Sequence, residues 1–356
     1  MRSVLSRIMA VAAGVLLAAP TALADEVPDT EVVLLSSEKS CDSCCSDKSN
    51  CCLDDCGPCY RVGAFIEYLM LVPGDIGFVD AVRQNGVGAG AAPNGPVNAL
   101  NPNSDSGFRV GLNYYLGECT SMYAAYTWAQ ASVDNTAVPS AGGGSTLSSL
   151  VLFPSTAAAS LGTAQIDSAY DIRLQLADFA LRSRLAGSNV DYLNLILGGR
   201  YGHLDQDYTQ VGTYAGVGEQ RVDSRIDFDG AGLLLGLESR FAVGRRGFGI
   251  YGDIFSSALY GEFTSSYTQQ NLTAQTTDAA SSWEDQRVVP ILQGSLGIDW
   301  VSKSGLAHVR IGHTAQYWFN TLITPDYIAA VQNSNYVGVE DTLSLHGLSA
   351  MVEFRR

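Results

Sequence analysis

The chain has 356 residues, of which 46% are hydrophobic and only 16% are charged, and it contains 37 glycines and 17 tyrosines. The hydrophobic fraction is too high for a disordered chain. The formal net charge of −15 argues against a general nucleic-acid binder, because neutralising phosphates requires clustered Lys and Arg. Low charge combined with many glycines and tyrosines is unusual for a cytosolic enzyme and favours a β-rich chain.

The first 24 residues predict a secretory signal peptide. A positively charged start and an apolar run over residues 8–19 precede an Ala-x-Ala cleavage site at residues 22–24. An uncleaved anchor is the weaker alternative, because the apolar run is shorter than the roughly 20 residues that span a bilayer as a helix. No later segment is apolar for long enough to form such a helix.

Residues 25–59 form a short Cys-rich segment, predicted to be a periplasmic extension because it has too little apolar content to build a core. Its Cys-x-x-Cys spacings are typical of zinc sites, but an exported chain enters an oxidising compartment, which favours disulfides. An odd number of cysteines means that one stays free, pairs with the isolated Cys119 or links to another chain, such as an envelope partner. The disulfide candidates are Cys41, Cys44, Cys45, Cys51, Cys52, Cys56, Cys59 and Cys119.

From residue 60 onward, apolar and polar residues alternate with the period of two that is typical of β-strands. In residues 107–116, for example, Phe108, Val110 and Leu112 fall on one face, whereas Arg109 and Asn113 fall on the other. Soluble strands average about 5 to 6 residues and membrane-spanning strands need about 9 to 11, so the length of these runs favours a bilayer. Ten strands are predicted, at 60–72, 107–116, 120–131, 168–182, 190–205, 226–241, 247–262, 288–301, 305–320 and 342–354.

The predicted connections alternate between long and short, which is typical of outer-membrane barrels with tight periplasmic turns and long outer loops. The sequence therefore predicts an all-β fold over residues 60–356: a transmembrane, antiparallel, up-and-down β-barrel of about ten strands, with both mature termini in the periplasm. Twelve strands result if 73–106 or 132–167 contains another hairpin. The long connections are 73–106, 132–167, 206–225, 263–287 and 321–341.

A secreted β-sandwich also alternates, but it needs no aromatic residues grouped near the strand ends. Here the polar face consists largely of Gly and isolated charges, and aromatic residues do group near the strand ends. These features favour the barrel. The aromatic residues concerned are Tyr60, Tyr114, Trp128, Tyr201, Trp300, Trp318 and Phe354.

Four segments in order give the chain a family resemblance. They begin at Tyr201 (YGHLDQD), Phe228 (FDGAGLLLGLE), Arg287 (RVVPILQGSLG) and Val309 (VRIGHTAQYW). Together they resemble the Legionella-type major outer membrane protein family, which is also abundant in planctomycetes. The resemblance covers about residues 60–354 and implies a pore-forming outer-membrane β-barrel, with a related planctomycete barrel-porin family as the alternative. The Cys-rich segment lies outside it.

Ionisable residues on the predicted polar faces are candidates to line the lumen. They either line a water-filled path and set its ion preference, or pair across the lumen and close it. About eight strands just fill a barrel and open porins use about 16 to 18, so ten strands leave a narrow pore at best. The candidates are Glu67, Arg109, Asp171, Arg173, Arg200, Glu238, Arg240, Asp299, Arg310 and Glu353.

The leading hypothesis is a passive outer-membrane pore for ions and small polar solutes, with a preference for cations suggested by the acidic net charge. The alternative is a closed structural barrel of the cell envelope with a disulfide-linked periplasmic extension. Four scattered histidines and the absence of a Gly-x-Ser-x-Gly motif predict no enzyme, no cofactor and no metal site. The expected partners are outer-membrane lipid and the barrel-assembly machinery, through the C-terminal strand ending at Phe354, and not nucleic acid.

Overall fold

The structure, a computed structural model, describes residues 61–74, 76–86, 91–117, 119–139, 145–188, 191–244 and 247–356. The predicted signal peptide, the Cys-rich extension with its seven cysteines, and Tyr60 lie outside these residues. No helix in the described part of the chain is long and apolar enough to cross a membrane.

The described residues are mainly β-strand, with one α-helix, α1, at Thr324–Asn333 and a short 3-10 helix at Ala157–Ser160. The strands are β1 (Val62–Pro73), β2 (Phe78–Gln84), β3 (Pro93–Leu100), β4 (Asn103–Tyr115), β5 (Thr120–Ala137), β6 (Thr146–Ser149), β7 (Thr163–Gly187), β8 (Tyr192–Tyr214), β9 (Gly218–Ala242), β10 (Phe248–Asn271), β11 (Thr276–Val301), β12 (Ala307–Thr321) and β13 (Asp341–Arg355).

Ten of these strands close into an antiparallel ring, which confirms the predicted barrel. Around the ring the order is β1, β4, β5, β7, β8, β9, β10, β11, β12 and β13, and β13 pairs back to β1. The twelve-strand alternative is wrong. The extra hairpin, β2–β3, exists, but β2 pairs with β6 beside the ring instead of entering it. Pro93 and Pro96 lack the N–H that a central strand donates, which suits β3 to the sheet edge.

The strands of one side of the barrel are much longer than a bilayer requires. β7 to β11 contain 23 to 26 residues each, whereas about 9 to 11 are enough to span. The predicted long connections 206–225 and 263–287 are wrong, because these residues continue the strands and turn only at 215–217 and 272–275. Their Ser, Thr and Gln residues weaken the apolar alternation, so the sequence pattern resembles that of a loop.

The barrel has two ends, which differ in their connections. At the turn end lie Arg61, Arg356 and the short β4–β5, β7–β8, β9–β10 and β11–β12 connections, and at the loop end lie the remaining connections. We call the two parts of the barrel the turn-end half and the loop-end half. The polarity of the wall changes between them.

In the turn-end half, large apolar side chains face outward. Leu233 of β9 and Leu296 of β11 are 74% and 65% exposed, respectively, and Phe179 of β7 is also exposed. In the loop-end half the outward side of β9 instead carries Arg225 and Asp223. The outward apolar band of the turn-end half is therefore the part that faces a lipid bilayer.

In the loop-end half, the interior is a packed apolar core. Inward residues of the wall, such as Tyr170, Phe228 and Phe263, contact residues from segments outside the wall. We call the latter the plug, which comprises α1 with the preceding residues 322–323, the segment 150–161, and Phe78 and Leu100 of the β2–β3 hairpin. Trp318, predicted near the strand ends as a membrane-interface aromatic, is fully buried in this core. It faces inward because β12 pairs with β11 in a register that turns Tyr317 outward.

Candidate functional site

Charged side chains fill the interior of the turn-end half and surround a cavity. The empty volume is about 1170 Å³, the open space at its mouth included. Cys119, Thr120 and Arg355 line it at the turn end, and Arg200 and Gln293 line its deeper part. The cavity therefore extends from the turn end of the barrel into the wall region that carries the apolar outer band.

Eight of the ten predicted lumen residues lie in this interior, because they alternate with outward apolar residues along the turn-end part of their strands. Arg109 and Glu67 face each other across β4 and β1, with Nη1 of Arg109 2.9 Å from Oε2 of Glu67. Arg200 and Glu238 face inward from β8 and β9. The eight are Glu67, Arg109, Arg200, Glu238, Arg240, Asp299, Arg310 and Glu353.

A deeply buried ion pair joins Arg200 to Asp178 of β7. The guanidinium binds the carboxylate through two parallel hydrogen bonds of 2.6 and 2.8 Å, and only 2% and 5% of the two side chains are exposed. Gln293 accepts a further bond from Arg200 at 3.4 Å. A bidentate, fully paired arginine of this kind is held in one orientation.

A chain of paired charges runs across β9, β11, β12 and β13. Arg240 binds Asp299, and His308 Nε2 lies 2.8 Å from the same carboxylate. The other ring nitrogen of His308 lies 3.3 Å from Glu353, which Arg355 also contacts at 2.6 Å. The side chains of Arg240, Asp299, His308 and Glu353 are each at least nine-tenths buried, so this part of the lumen is filled by protein groups.

Two further arginines are held by both a carboxylate and an aromatic ring. Arg310 pairs with Asp253, and its guanidinium lies 3.6 Å from the ring centre of Tyr251. Arg182 pairs with Glu238 at 2.7 Å and lies 5.3 Å from the ring centre of Tyr123. Cation–π contacts of this kind strengthen when the cation is desolvated.

The structure contradicts the predicted lumen positions of Asp171 and Arg173. Their neighbours Tyr170 and Ile172 are buried in the loop-end core, so Asp171 and Arg173 lie on the outward face of β7. The apolar face of β7 changes sides near residue 177, because its loop-end half faces the plug and its turn-end half faces lipid. The sequence pattern of 168–182, read as one continuous face, could not show this change.

The same change of sides explains two of the lumen residues that the sequence analysis missed. Asp178 and Arg182 share the inward face with Tyr170, and Phe179 and Leu181 between them are exposed. A switch of the apolar residues from even to odd positions after Leu176 was the available signal. Asp253 was also missed, because its strand alternates less regularly in sequence, and so were His308 and Arg355, which share the inward faces of their strands with Arg310 and Glu353.

Cys119 lies in the short connection between β4 and β5, at the mouth of the cavity. It is exposed and has no disulfide partner among the described residues. The other predicted disulfide cysteines lie outside those residues. The neighbouring Tyr115 donates a backbone hydrogen bond to the carbonyl of Arg61, so the described start of the chain lies beside this turn.

A closed ring of long strands with an outward apolar band and a charged lumen defines an integral β-barrel membrane protein. Residues 61–355 match the family described as Legionella pneumophila major outer membrane protein precursor, and the chain belongs to this family. It is therefore a protein of the outer membrane. This finding confirms the resemblance seen in the sequence.

Several solved outer-membrane proteins are similar to the chain at low identity. The outer membrane protease OmpT from Escherichia coli is 12% identical, with a TM-score of 0.45, 83% of this chain and 97% of that one being covered. CarO from Acinetobacter baumannii is 11% identical, with a TM-score of 0.31 and coverages of 83% and 98%. The monoaromatic hydrocarbon channel CymD is 9% identical, with a TM-score of 0.27 and coverages of 83% and 89%. No curated protein sequence matches the chain.

Proposed function

We propose that the protein is a channel of the outer membrane for ions and small polar solutes, and that the plug closes it in the conformation described here. The observation that carries the proposal is the charged cavity in the turn-end half, which is lined by wall residues, while the loop-end half of the same barrel is filled by segments that are not part of the wall. Because the ring of wall strands closes without the plug, displacement of the plug would open a path without breaking the ring.

A few polar contacts hold the plug to the wall. Gln206 of β8 donates to the carbonyl of Leu322 at 2.8 Å and accepts from the backbone N–H of Thr324 at 3.2 Å. Gln332 at the end of α1 donates to the carbonyls of Leu150 and Leu152. These contacts tie the start of α1 to the wall and its end to the other plug segment.

Recordings from planar bilayers with purified full-length protein test the channel. We expect brief openings in the wild type and more frequent openings in Gln206→Ala, which loses the contacts at the start of α1. The control is Gln286→Ala, whose side chain bonds to Tyr260 and Glu262 on the exposed outer surface. Absence of discrete conductance steps in both wild type and Gln206→Ala would exclude the channel.

The second candidate function is a closed structural barrel of the envelope, favoured by the complete pairing of Arg200 and Arg240 and by the packed loop-end core. In that case the Cys-rich extension links the barrel to an envelope partner. Non-reducing gels of native envelopes distinguish the two, because high-mass species that disappear on reduction support the structural function.

The proposed ion preference is weaker than the net charge suggested. Six arginines and five carboxylates line the cavity, so the lining itself does not favour cations. We propose no enzymatic activity. Reversal potentials in a salt gradient measure the preference once openings are observed.

We further propose that the turn end and both mature termini face the periplasm, as short turns do in this class of barrel. The C-terminal strand β13, with Phe354, would then be available to the barrel-assembly machinery. Cys119 gives a direct test. In intact cells a membrane-impermeant maleimide should leave Cys119 unlabelled in a variant that lacks the other cysteines, and labelling should require opening of the outer membrane.

A further inference from the structure

A group of metal-binding side chains lies on the outward face of β8 and β9, next to the apolar band and on its loop-end side. In the antiparallel register His203 is opposite Asp229, and Asp205 is opposite Asp227. Like charges directly opposite each other on one sheet face destabilise the pair. The Asp205–Asp227 pair therefore costs stability unless a cation lies close to it.

Three of these residues are close enough to share one ion. One ligand atom from each of His203, Asp205 and Asp227 lies within 4.8 Å of the others. Nitrogen and oxygen ligands lie about 2.0 to 2.2 Å from Zn²⁺, so two ligands of one ion are at most about 4.4 Å apart. Small side-chain rotations are enough to reach this separation.

Asp229 orients the imidazole of His203. Nδ1 of His203 lies 3.0 Å from Oδ1 of Asp229, and the Tyr201 hydroxyl donates to the same carboxylate. A histidine that gives its Nδ1–H to a carboxylate keeps the lone pair of Nε2 for a metal. This carboxylate–histidine arrangement is the usual outer shell of a metal-bound histidine.

Asp205 is a buried carboxylate with one oxygen that accepts no hydrogen bond. Its side chain is 7% exposed, and its Oδ1 is buried without a hydrogen-bond partner. Nη2 of Arg225 lies 3.8 Å from that oxygen, beyond hydrogen-bond range. The other oxygen, Oδ2, pairs with Arg173 at 2.9 Å. A buried carboxylate oxygen without a partner is costly, and a bound cation removes the cost.

The balance of local charges also favours a bound cation. Four carboxylates of β8 and β9 (Asp205, Asp207, Asp227 and Asp229) share two guanidinium groups, those of Arg173 and Arg225. With neutral His203, the group has two negative charges more than positive ones. A single divalent ion balances this difference.

We propose that His203, Asp205 and Asp227 bind one divalent transition-metal ion, such as Zn²⁺, on the outer surface of the barrel. One imidazole and two carboxylates are ligands that suit Zn²⁺ better than Mg²⁺ or Ca²⁺, which prefer oxygen ligands alone. Water completes the coordination. The site lies outside the lumen and is independent of the channel.

Titration calorimetry with ZnCl₂ tests the site, using untagged full-length protein folded in detergent. The cysteines are first reduced and alkylated with iodoacetamide, so that they bind no metal. We expect one Zn²⁺ per chain in the wild type and at least tenfold weaker binding in His203→Gln and Asp205→Asn. Asp229→Asn, which loses only the orienting carboxylate, should weaken binding about 10- to 100-fold.

The matched control is Asp223→Asn, which removes a carboxylate from the same face of β9 and should bind Zn²⁺ as the wild type does. Heat-dependent migration in gels confirms that each variant is folded. X-ray absorption at the zinc edge of the alkylated wild type identifies the ligand types of the bound ion independently, without the use of a variant. No binding by the wild type, unchanged binding by folded His203→Gln, or a spectrum without an imidazole ligand would each overturn the proposal.

Discussion

The two halves of this barrel place their apolar and charged side chains on opposite faces of the wall. In the turn-end half the wall is apolar outside and charged inside, as Leu233 and Arg200 show. In the loop-end half it is charged outside and apolar inside, as Arg225 and Phe228 show. Single strands such as β9 contribute to both halves, so the difference comes from the surrounding solvent and the barrel contents, not from the fold of the strand.

The comparison also separates two kinds of interior. The loop-end core resembles that of a soluble protein and gains its stability from apolar burial. The turn-end interior relies on pairs such as Asp178–Arg200, where the Coulomb attraction and hydrogen bonds only offset the cost of removing charges from water. The turn-end interior is therefore the half that a single charge deletion damages most.

The largest effect is expected for Asp178→Leu, which leaves the buried Arg200 guanidinium without its carboxylate. Breaking a buried ion pair in this way costs about 3–5 kcal/mol of the free energy of unfolding. Urea titration of the folded barrel in lipid vesicles measures it. The double variant Asp178→Leu/Arg200→Met should recover most of the loss, and failure to recover would show that the pair is not the source of the effect.

A charge placed on the outward face should distinguish the halves directly. Leu233→Arg puts a guanidinium into the apolar band and should cost about 2–4 kcal/mol. Leu272→Arg, at the loop-end turn after β10, should change the free energy of unfolding little, because that position faces water. Equal losses in the two variants would place the membrane elsewhere along the barrel.

A smaller effect is expected for Asp223→Asn. The ion pair of Asp223 with Arg221 on the outer face of the loop-end half is solvent-exposed, with 37% and 45% of the side chains accessible. Exposed pairs contribute about 0–1 kcal/mol, so the unfolding midpoint in urea should stay close to that of the wild type. A loss as large as that of Asp178→Leu would contradict the distinction between the two halves.

The smallest effect concerns the pH dependence of the plug. Burial and the neighbouring carboxylate of Asp341 raise the pKa of Asp326 in α1 above its ordinary value of 3.8. The folded plug therefore binds this proton more tightly than the unfolded chain, and its stability falls as pH rises from about 4 through the raised pKa. Urea titrations between pH 3.5 and 7 should show this decline in the wild type, with a smaller decline in Asp326→Asn.

The ten wall strands could be predicted from the sequence because most of them cross the bilayer with a clear period of two, and the others are rich in aromatic and β-branched residues. The lumen positions of Glu67 and Arg109 follow from the same alternation. Asp171 and Arg173 were placed wrongly, because alternation identifies two faces but not which of them meets lipid. When the contents of the barrel change along β7, the apolar residues change sides without any break in the strand.

The proposed metal site likewise depends on the pairing of strands, which a local sequence pattern does not reveal. His203-x-Asp205 and Asp227-x-Asp229 each place two ligands on one face of a strand, a pattern visible in the sequence. Only the β8–β9 register brings the two pairs opposite each other. The plug is a similar case, since the segment 150–161 and α1 come from different connections and meet only in the folded barrel.

The sequence by itself therefore determined the class of fold, the number of wall strands and the family, because repeated alternation over long strands is a local property of the chain. Tertiary structure decided which half of each strand faces lipid, that the lumen charges are paired, and that an apolar plug lies across the loop end. These outcomes depend on contacts between residues far apart in the chain, such as Arg200 with Gln293 and Gln206 with Thr324. No local pattern encodes such contacts.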